Sequence, residues 1–320
     1  MPEFKDVPMR QSIDRHAPSR RWTLRALLSL FACAIAPTGS AAPSNEPAQL
    51  SACAPTRLQG EDTIVHVPFQ VVDGRIYVDA RVNGMGPFRF AVDTGAGGMA
   101  RADTRLVDTL GLQVVGQASV SDGVQHADVE TTRLASVQLG GLVRSDVEAI
   151  TRDYASRAPE EAKFHGLLVR EFFSDGVLVI DYPNRMLSFS RTMTLSPKDP
   201  DSLRYERAFR VPISIGAVHA LGNLDTGANV SIVLPQALYA AVESGPAESG
   251  GRAQLTNGHI DLQRATIKGP VQIGTLSLSN LEAKVSEKYP EILVGAHALQ
   301  DAVILIDQRS KVVAVCGRGQ

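Results

Sequence analysis

The sequence predicts an all-β protein built from two homologous lobes within its 320 residues. Three observations lead to this fold class. Short segments alternate apolar and polar residues with the period of two that strands require. The tetrapeptide Asp-Thr-Gly-Ala occurs at 93–96 and again at 225–228, a separation of 132 residues. A closing pattern of strands also occurs twice, so we interpret each tetrapeptide as the centre of one lobe.

The start of the chain differs in composition from the rest. Arg20 and Arg21 precede an apolar run at 26–36, and small residues follow at 39–42. This layout is typical of a secretory signal peptide, which we assign to residues 1–42. The run is about half as long as the roughly 20 residues that a membrane-crossing helix needs, so a signal anchor is the weaker alternative. We therefore expect an exported protein, periplasmic or secreted, with no membrane span after signal removal.

Residues 43–60 are rich in Ala, Pro and Ser, which predicts a linker without a core of its own. The linker carries Cys53, and Cys316 lies near the end of the chain. In an oxidising compartment these two cysteines could pair as a disulfide, or they could remain as two free thiols. The residues before Cys33 and Cys53 loosely resemble lipoprotein acylation sites, which leaves a lipoprotein as another alternative for localisation.

The N-terminal lobe is assigned to residues 61–190 and begins with a strand-like hairpin. Residues 76–82 alternate in polarity, Asn83-Gly84 favours a tight turn, and residues 87–92 return as a second strand. This second strand leads directly into the tetrapeptide at 93–96.

The C-terminal lobe, assigned to residues 208–320, repeats this order after a polar interlobe linker at 191–207. Strand-like residues lead into the second tetrapeptide, and a helix-like stretch follows each copy, at 102–110 and at 235–242. The same elements therefore occur twice in the same order.

The closing pattern fixes the alignment of the two lobes. Leu167-Leu168-Val169 precedes a strand that ends at Asp181, and Leu293-Val294-Gly295 precedes one that ends at Asp307. In both lobes the aspartate lies 12 residues beyond the third position of the triplet. An alternative alignment through Phe164-His165-Gly166 would supply a glycine in the first lobe, but it breaks this spacing.

One aspartate in each lobe favours a shared acid and base. Hydrolysis of an amide by water needs a base that takes a proton from the water and an acid that protonates the carbonyl oxygen. Two carboxyl groups about 3 Å apart cannot both ionise, so one keeps a proton while the other is an anion. We therefore expect Asp93 and Asp225 to form a catalytic pair, and the sequence leaves open which of them is the base.

The neighbouring residues have predicted supporting roles. The glycines allow a tight turn that directs backbone N–H groups at the carboxylate, and the threonines can form hydrogen bonds across the interface between the lobes. The complete predicted support consists of Thr94, Gly95, Ala96, Thr226, Gly227 and Ala228.

On these residues the chain resembles the aspartic protease superfamily, which includes pepsin and the retroviral proteases. The resemblance covers about Val65 to Val315. Ala96 and Ala228 are similar to the retroviral and bacterial retropepsin-like branch, whereas two lobes in one chain are similar to pepsin. The resemblance implies a closed β-barrel in each lobe of an acid-protease fold and an active-site cleft between the lobes. It also implies a monomeric endopeptidase that acts on peptides or unfolded proteins without a cofactor or metal.

The resemblance further implies a flap hairpin over the cleft. The turns at Gly123 and Gly258 are the flap candidates, with Gly123 preferred because pepsin-like enzymes keep the amino-terminal flap. Two apolar residues and a glycine are expected to pack behind each aspartate loop. Leu293, Val294 and Gly295 conform, whereas in the first lobe Val169 takes the place of the glycine after Leu167 and Leu168. We expect this valine to push on the Asp93 loop.

The sequence gives less support to other functions. The net charge of −2 provides no basic surface for nucleic acid. The seven histidines are scattered singly and no Gly-x-Ser-x-Gly motif occurs, so neither metal nor serine chemistry is predicted. The stretch at 95–100 fits a dinucleotide-binding fingerprint, but Asp93 would repel a pyrophosphate and alternating strand-helix units are missing. The alternative that we retain is a catalytically weak or inactive protein of the same fold that binds peptides in the cell envelope.

Overall fold

The computed structural model describes residues 50–54, 63–154, 156, 158–207 and 209–317. The predicted signal peptide at 1–42 lies outside the described residues, as does most of the predicted linker. The described residues belong to one compact unit, Ala48–Gln320. Within them, no helix has the length and apolar character that a bilayer crossing demands.

The described residues are mostly strands, in agreement with the predicted all-β class. The first part of the chain forms β1 (Val65–Pro68), β2 (Gln70–Val72), β3 (Arg75–Val82), β4 (Met85–Asp93), β5 (Ala100–Asp103), β6 (Val114–Ser121), β7 (His126–Leu139), β8 (Leu142–Arg152), β9 (Gly166–Val169), β10 (Val177–Asp181) and β11 (Met186–Ser190). The second part forms β12 (Leu203–Arg204), β13 (Arg210–Ile215), β14 (Val218–Asp225), β15 (Ile232–Pro235), β16 (Glu248–Gln254), β17 (His259–Ile267), β18 (Val271–Ile273), β19 (Leu276–Leu278), β20 (Leu281–Ser286), β21 (Ile292–Gly295), β22 (Ala302–Asp307) and β23 (Val312–Gly317). The helices are α1 (Thr104–Leu110) and α2 (Gln236–Tyr239), with short 3-10 helices at Glu160–Ala162, Arg170–Phe173 and Ala296–Leu299.

The two helices follow equivalent strands but differ in length. The Asp103 side chain caps α1 by accepting the N–H of Arg105, and Gly111 ends the helix with a left-handed φ of 60°. Helix α2 ends at Tyr239, earlier than the predicted 235–242 stretch. The N–H of Val242 donates to the Tyr239 carbonyl three residues back, so the chain beyond α2 continues as tight turns and not as α-helix.

The strands form three sheets. An eight-stranded sheet has the order β2-β3-β4-β9-β5-β8-β7-β6 with an additional β3–β7 pairing, and we call this sheet and its loops the first lobe. A nine-stranded sheet with the order β16-β17-β20-β15-β21-β14-β13-β18-β19 forms the second lobe. A six-stranded sheet, β1-β11-β10-β22-β23-β12, joins strands from both parts of the chain. A closed barrel in each lobe remains a prediction, as do the exact domain boundaries.

Strand pairing repeats from one lobe to the other. Strand β4 lies parallel to β9, and β14 lies parallel to β21 in the same way. Strand β5 pairs in parallel with β8 and antiparallel with β9, as β15 does with β20 and β21. Each strand that ends in a motif aspartate therefore lies beside the closing triplet of its own lobe.

Equivalent positions in the two lobes exchange large and small residues. In the first lobe Phe90 lies opposite Gly166, where an added Cβ would overlap the Phe90 ring. In the second lobe the glycine is Gly222, and Ile292 is the large residue opposite it. Each lobe thus combines one large residue with one glycine at these two positions. The total volume is similar in the two lobes, so both cores pack although their sequences differ.

The six-stranded sheet ties the two ends of the described chain together. Its central strands β10 and β22 are antiparallel, with Val179 opposite Leu305. One face covers an apolar cluster that includes Leu195, which lies in the segment predicted as a polar linker. Cys53 and Cys316 form a disulfide beside this cluster, the first of the two alternatives that the sequence left open.

Candidate active site

The side chains of Asp93 and Asp225 meet where the two lobes face each other. Each residue ends an equivalent strand, β4 or β14. A Cβ added to Gly227 would lie 2.5 Å from the carboxyl carbon of Asp93, and a Cβ added to Gly95 would overlap the carboxyl group of Asp225. Each carboxyl group therefore lies over the glycine of the opposite loop, and only glycine leaves room for this approach.

The two threonines lock the loops together with reciprocal hydrogen bonds. The Thr94 N–H donates to Thr226 Oγ1 at 3.1 Å, and the Thr94 hydroxyl donates to the Leu224 carbonyl at 3.0 Å. In return the Thr226 N–H donates to Thr94 Oγ1 at 3.0 Å, and the Thr226 hydroxyl donates to the Val92 carbonyl at 2.8 Å. Thr94 is 3% exposed and Thr226 1%, so water cannot replace these bonds.

Backbone N–H groups hold each carboxylate in place. The N–H of Ala96 donates to Asp93 Oδ1 at 2.9 Å, and the N–H of Gly227 donates to Asp225 Oδ1 at 2.9 Å. The donor is thus the fourth residue of the motif in the first lobe and the third residue in the second. In both aspartates the backbone donor binds Oδ1, and Oδ2 does not take part in this hydrogen bond.

The environment makes the carboxyl pair retain a proton. Burial raises the pKa of Asp225 to about 7, and the negative charge of Asp93 adds to this rise. The Gly227 N–H and the positive charge of Arg75 act in the opposite direction. Arg75 reaches this loop from the first lobe, where its Nε donates to the Gly227 carbonyl at 2.6 Å. The pair therefore keeps one proton through the acid and mildly acid range.

Each aspartate loop is held from behind by the closing triplet and the residues that follow it. The N–H groups of residues 169–171 donate to carbonyls within 96–99 at 3.0–3.3 Å. The N–H groups of residues 295–297 donate to the equivalent carbonyls within 228–231 at 2.8–3.1 Å. Strand register places Asp93 opposite Val169 and Asp225 opposite Gly295, which is the alignment preferred from the spacing.

The packing around Val169 shows how the first lobe accommodates a side chain there. In the Asp93 loop its side chain approaches Gly98, which has a φ of 93° and whose added Cβ would lie 4.0 Å from Val169 Cγ2. In the second lobe the sizes are exchanged, because Gly295 faces Val230. The glycine in the Asp93 loop thus provides the space that the valine occupies, which the expected push on this loop did not take into account.

Both predicted flap turns lie at the tips of hairpins, and the two tips contact each other. Gly123 lies in the turn between β6 and β7, and Gly258 lies in the turn between β16 and β17. The Asn257 N–H donates to Asp122 Oδ2 at 2.7 Å. The Asn257 side-chain amide donates to two carbonyls of the first hairpin, both at 2.9 Å. Each lobe therefore contributes one hairpin, whereas the sequence analysis named both turns as candidates and preferred the one at Gly123.

Two tyrosines that the sequence analysis did not select interact electrostatically with the aspartates, and one of them also contacts a hairpin tip. A Cβ added to Gly123 would lie 3.4 Å from the ring of Tyr289. Burial raises the pKa of Tyr289 to about 12, and the charge of Asp225 contributes to the rise. Burial also raises the pKa of Tyr154 in the first lobe, with a further contribution from Asp93. No motif marks either tyrosine, because both come from connecting segments distant in sequence from the aspartates.

The described residues contain no group of three His, Cys, Asp or Glu side chains that could hold a metal ion. The two aspartates provide a pair of carboxyl groups, one protonated and one ionised. Such a pair can take a proton from one reacting group and give a proton to another.

Comparison with known proteins agrees with this arrangement. Residues 78–172 match the family model described as aspartyl protease. The match includes the Asp93 loop and the strands that position it, and it confirms the predicted resemblance to the aspartic protease superfamily. A search of curated proteins finds no match to the chain. The family indicates a protease-type hydrolase with peptide substrates.

Proposed function

We propose that the protein is an aspartic endopeptidase that hydrolyses peptide bonds with a water molecule activated between Asp93 and Asp225. The observation that supports this most directly is the contact between the two carboxyl groups, each lying over the glycine of the opposite loop. The reciprocal threonine hydrogen bonds support it further, because they fix the geometry on which proton transfer depends.

The proposed reaction uses the two carboxyl groups in different roles. The ionised carboxylate takes a proton from water as the water oxygen attacks the amide carbon, and the protonated carboxyl group protonates the amide oxygen. The tetrahedral intermediate carries two hydroxyl groups. As its C–N bond breaks, the leaving nitrogen takes the proton that came from the water, and one hydroxyl returns a proton to the other carboxylate, so the pair regains its starting state. Because burial and the charge of Asp93 raise the pKa of Asp225, we assign the initial proton to Asp225 and the role of base to Asp93.

We further propose that the enzyme acts as an exported monomer. Both aspartates come from one chain, so a second copy is not needed to complete the pair. The Cys53–Cys316 disulfide favours an oxidising compartment, either the periplasm or the medium, after removal of the predicted signal peptide. The lobes assigned to 61–190 and 208–320, with the linker at 191–207, would then form the two walls of the cleft.

The test is cleavage of a diverse peptide mixture by the chain lacking the signal peptide, from about pH 3 to about pH 8, with the cuts mapped by mass spectrometry. Asp93→Asn and Asp225→Asn keep the shape of each side chain and should lower the rate at least about 1000-fold. Their circular dichroism and thermal unfolding should remain like those of the unchanged protein. Cleavage by Asp225→Asn at the full rate would rule out the shared pair.

If the unchanged protein makes no cuts at any pH, the alternative of a peptide-binding protein is favoured. A statine-type transition-state mimic then separates the two outcomes by calorimetry. Binding that depends on both aspartates would support an enzyme whose substrate is missing from the mixture, whereas binding of peptides without such dependence would support the inactive alternative.

A further inference from the structure

Arg101 is a buried cation on the wall of the first lobe. Its neighbours in β5, Ala100 and Ala102, point into the apolar core, so the Arg101 side chain points to the opposite face of the sheet. Its cross-strand partner Leu167 belongs to a cluster that contains Ala96, a residue of the Asp93 loop. Arg101 is only 9% exposed. The guanidinium therefore lies in the wall next to the aspartate pair.

The guanidinium of Arg101 has a hydrogen-bond donor that the described residues leave unsatisfied. Its Nε atom is buried and donates to no acceptor within the described part of the chain. The hydroxyl of Tyr154 is also buried, and the guanidinium of Arg101 beside it is its one hydrogen-bonding neighbour among the described residues. The charges of Arg101 and Asp93 both act on this hydroxyl, which places the three groups in the same part of the lobe. A buried guanidinium donor without an acceptor is costly unless a ligand satisfies it.

The internal repeat shows that the fold itself does not require a charge here. Val233 occupies the equivalent position in the second lobe, eight residues after its aspartate, as Arg101 is after Asp93. Val233 pairs with Leu293 in β21, as Arg101 pairs with Leu167 in β9. One wall of the cleft is thus cationic and the equivalent wall is apolar.

We propose that Arg101 and the Tyr154 hydroxyl form a subsite that binds the carboxylate of an acidic side chain, aspartate or glutamate, in the substrate peptide. This inference rests on the proposed peptidase function and specifies its substrate class. A guanidinium binds a carboxylate through two parallel N–H bonds, and the phenol supplies a further donor. Phe164 and Leu167 line the same face and keep water out, which strengthens the charged hydrogen bonds.

Paired peptides test the subsite. At each position around a mapped cut, two peptides differ only in Glu or Gln, and kcat/KM is measured for both. At one position the Glu peptide should be cleaved about 10- to 100-fold faster by the unchanged protein. Arg101→Val, which copies the second lobe, should abolish this preference while still cleaving the Gln peptide. Arg101→Lys should retain part of it, and Arg204→Met, an exposed arginine in β12, should leave it unchanged.

The pH dependence separates binding of a charge from a packing role. Below the pKa of a glutamate side chain, about 4.3, the Glu peptide is neutral and its advantage over the Gln peptide should disappear. A purely structural role of Arg101 would lower the rates of both peptides together at every pH.

Two results would overturn the subsite and leave the peptidase function intact: equal rates for every Glu and Gln pair, or an unchanged preference in Arg101→Val. If Arg101→Val does not fold, the comparison of the unchanged protein with Arg101→Lys decides. If no peptide is cleaved at all, binding of the statine-type mimic decides the proposed function, and fluorescence anisotropy of the same peptides with the full chain tests the subsite alone. Equal Kd values for Glu and Gln peptides would then refute it.

Discussion

Replacing Thr226 with valine tests the lock between the two aspartate loops. Valine has nearly the same shape as threonine, so the substitution removes the hydroxyl without opening a cavity. The lost hydroxyl accepts the Thr94 N–H and donates to the Val92 carbonyl. After the change both backbone groups remain without a partner, and water does not reach them because Thr94, Thr226 and Val92 are buried.

The magnitude follows from those two orphaned groups. Leaving one buried donor or acceptor unsatisfied costs about 1–3 kcal/mol, so the loss of two should lower the free energy of unfolding by about 2–6 kcal/mol. Thr226→Ser is the matched control, because it keeps the hydroxyl and loses one methyl group, at a cost of about 1 kcal/mol. Thr94→Val removes the equivalent bonds of the first loop and should have a similar effect, with a double variant that costs less than the sum of the two.

The assay combines denaturant unfolding with peptide cleavage. The one tryptophan of the chain, Trp22, lies in the predicted signal peptide, so unfolding should be followed by circular dichroism. The Thr226→Val variant should also lower kcat more than it raises KM, because the carboxyl groups lose their fixed separation. If Thr226→Val is as stable and as active as Thr226→Ser, the loops are positioned by something other than these hydrogen bonds.

Three further predictions concern pH, packing and the disulfide. Cleavage should be greatest in acid or mildly acid solution. It should fall as pH rises through about 7, because this is the raised pKa of Asp225. A kcat/KM profile that still climbs above about pH 8 would contradict this prediction. The same shift stabilises the folded state below about pH 4, the unfolded pKa being 3.8, and this contribution is lost as pH rises to about 7. Gly295→Ala should lower stability by about 2–4 kcal/mol in thermal unfolding, because its Cβ would overlap the Val230 carbonyl, and an unchanged Tm would show that the loop relaxes freely. Changing Cys53 and Cys316 to serine opens a loop of 263 residues and should cost on the order of 5 kcal/mol in denaturant unfolding, a loss that reductant should reproduce in the unchanged protein.

The sequence was informative where one local rule determined the structure. The repeated tetrapeptide and the spacing of the closing triplets predicted which strands would pair, because strand register depends on counting residues along the chain. The alternating residues before Asp93 likewise predicted the β3–β4 hairpin. The motif also marked its two glycines, although the predicted role was a tight turn, whereas in the structure each glycine leaves room for the carboxyl group of the opposite lobe.

The sequence was uninformative where the partner lies far along the chain. Arg75 reaches the loop of Gly227, 152 residues away, and no local pattern marks that contact. The room for Val169 comes from Gly98, so a judgement on the valine alone missed the compensating glycine. Arg101 was the one omission that the repeat could have revealed, because alignment places it opposite the apolar Val233.

The joined hairpin tips have a consequence for which molecules the protein would process. Asn257 joins the two hairpin tips. On the proposed function, these tips would separate to admit a polypeptide to the aspartates and would then close over it. A dipeptide touches too little of either hairpin to offset the broken bonds, whereas an extended segment of several residues contacts both. The joined hairpins would therefore select substrates by length. Small fragments and compact folded surfaces would be excluded, whereas long unstructured segments would be admitted.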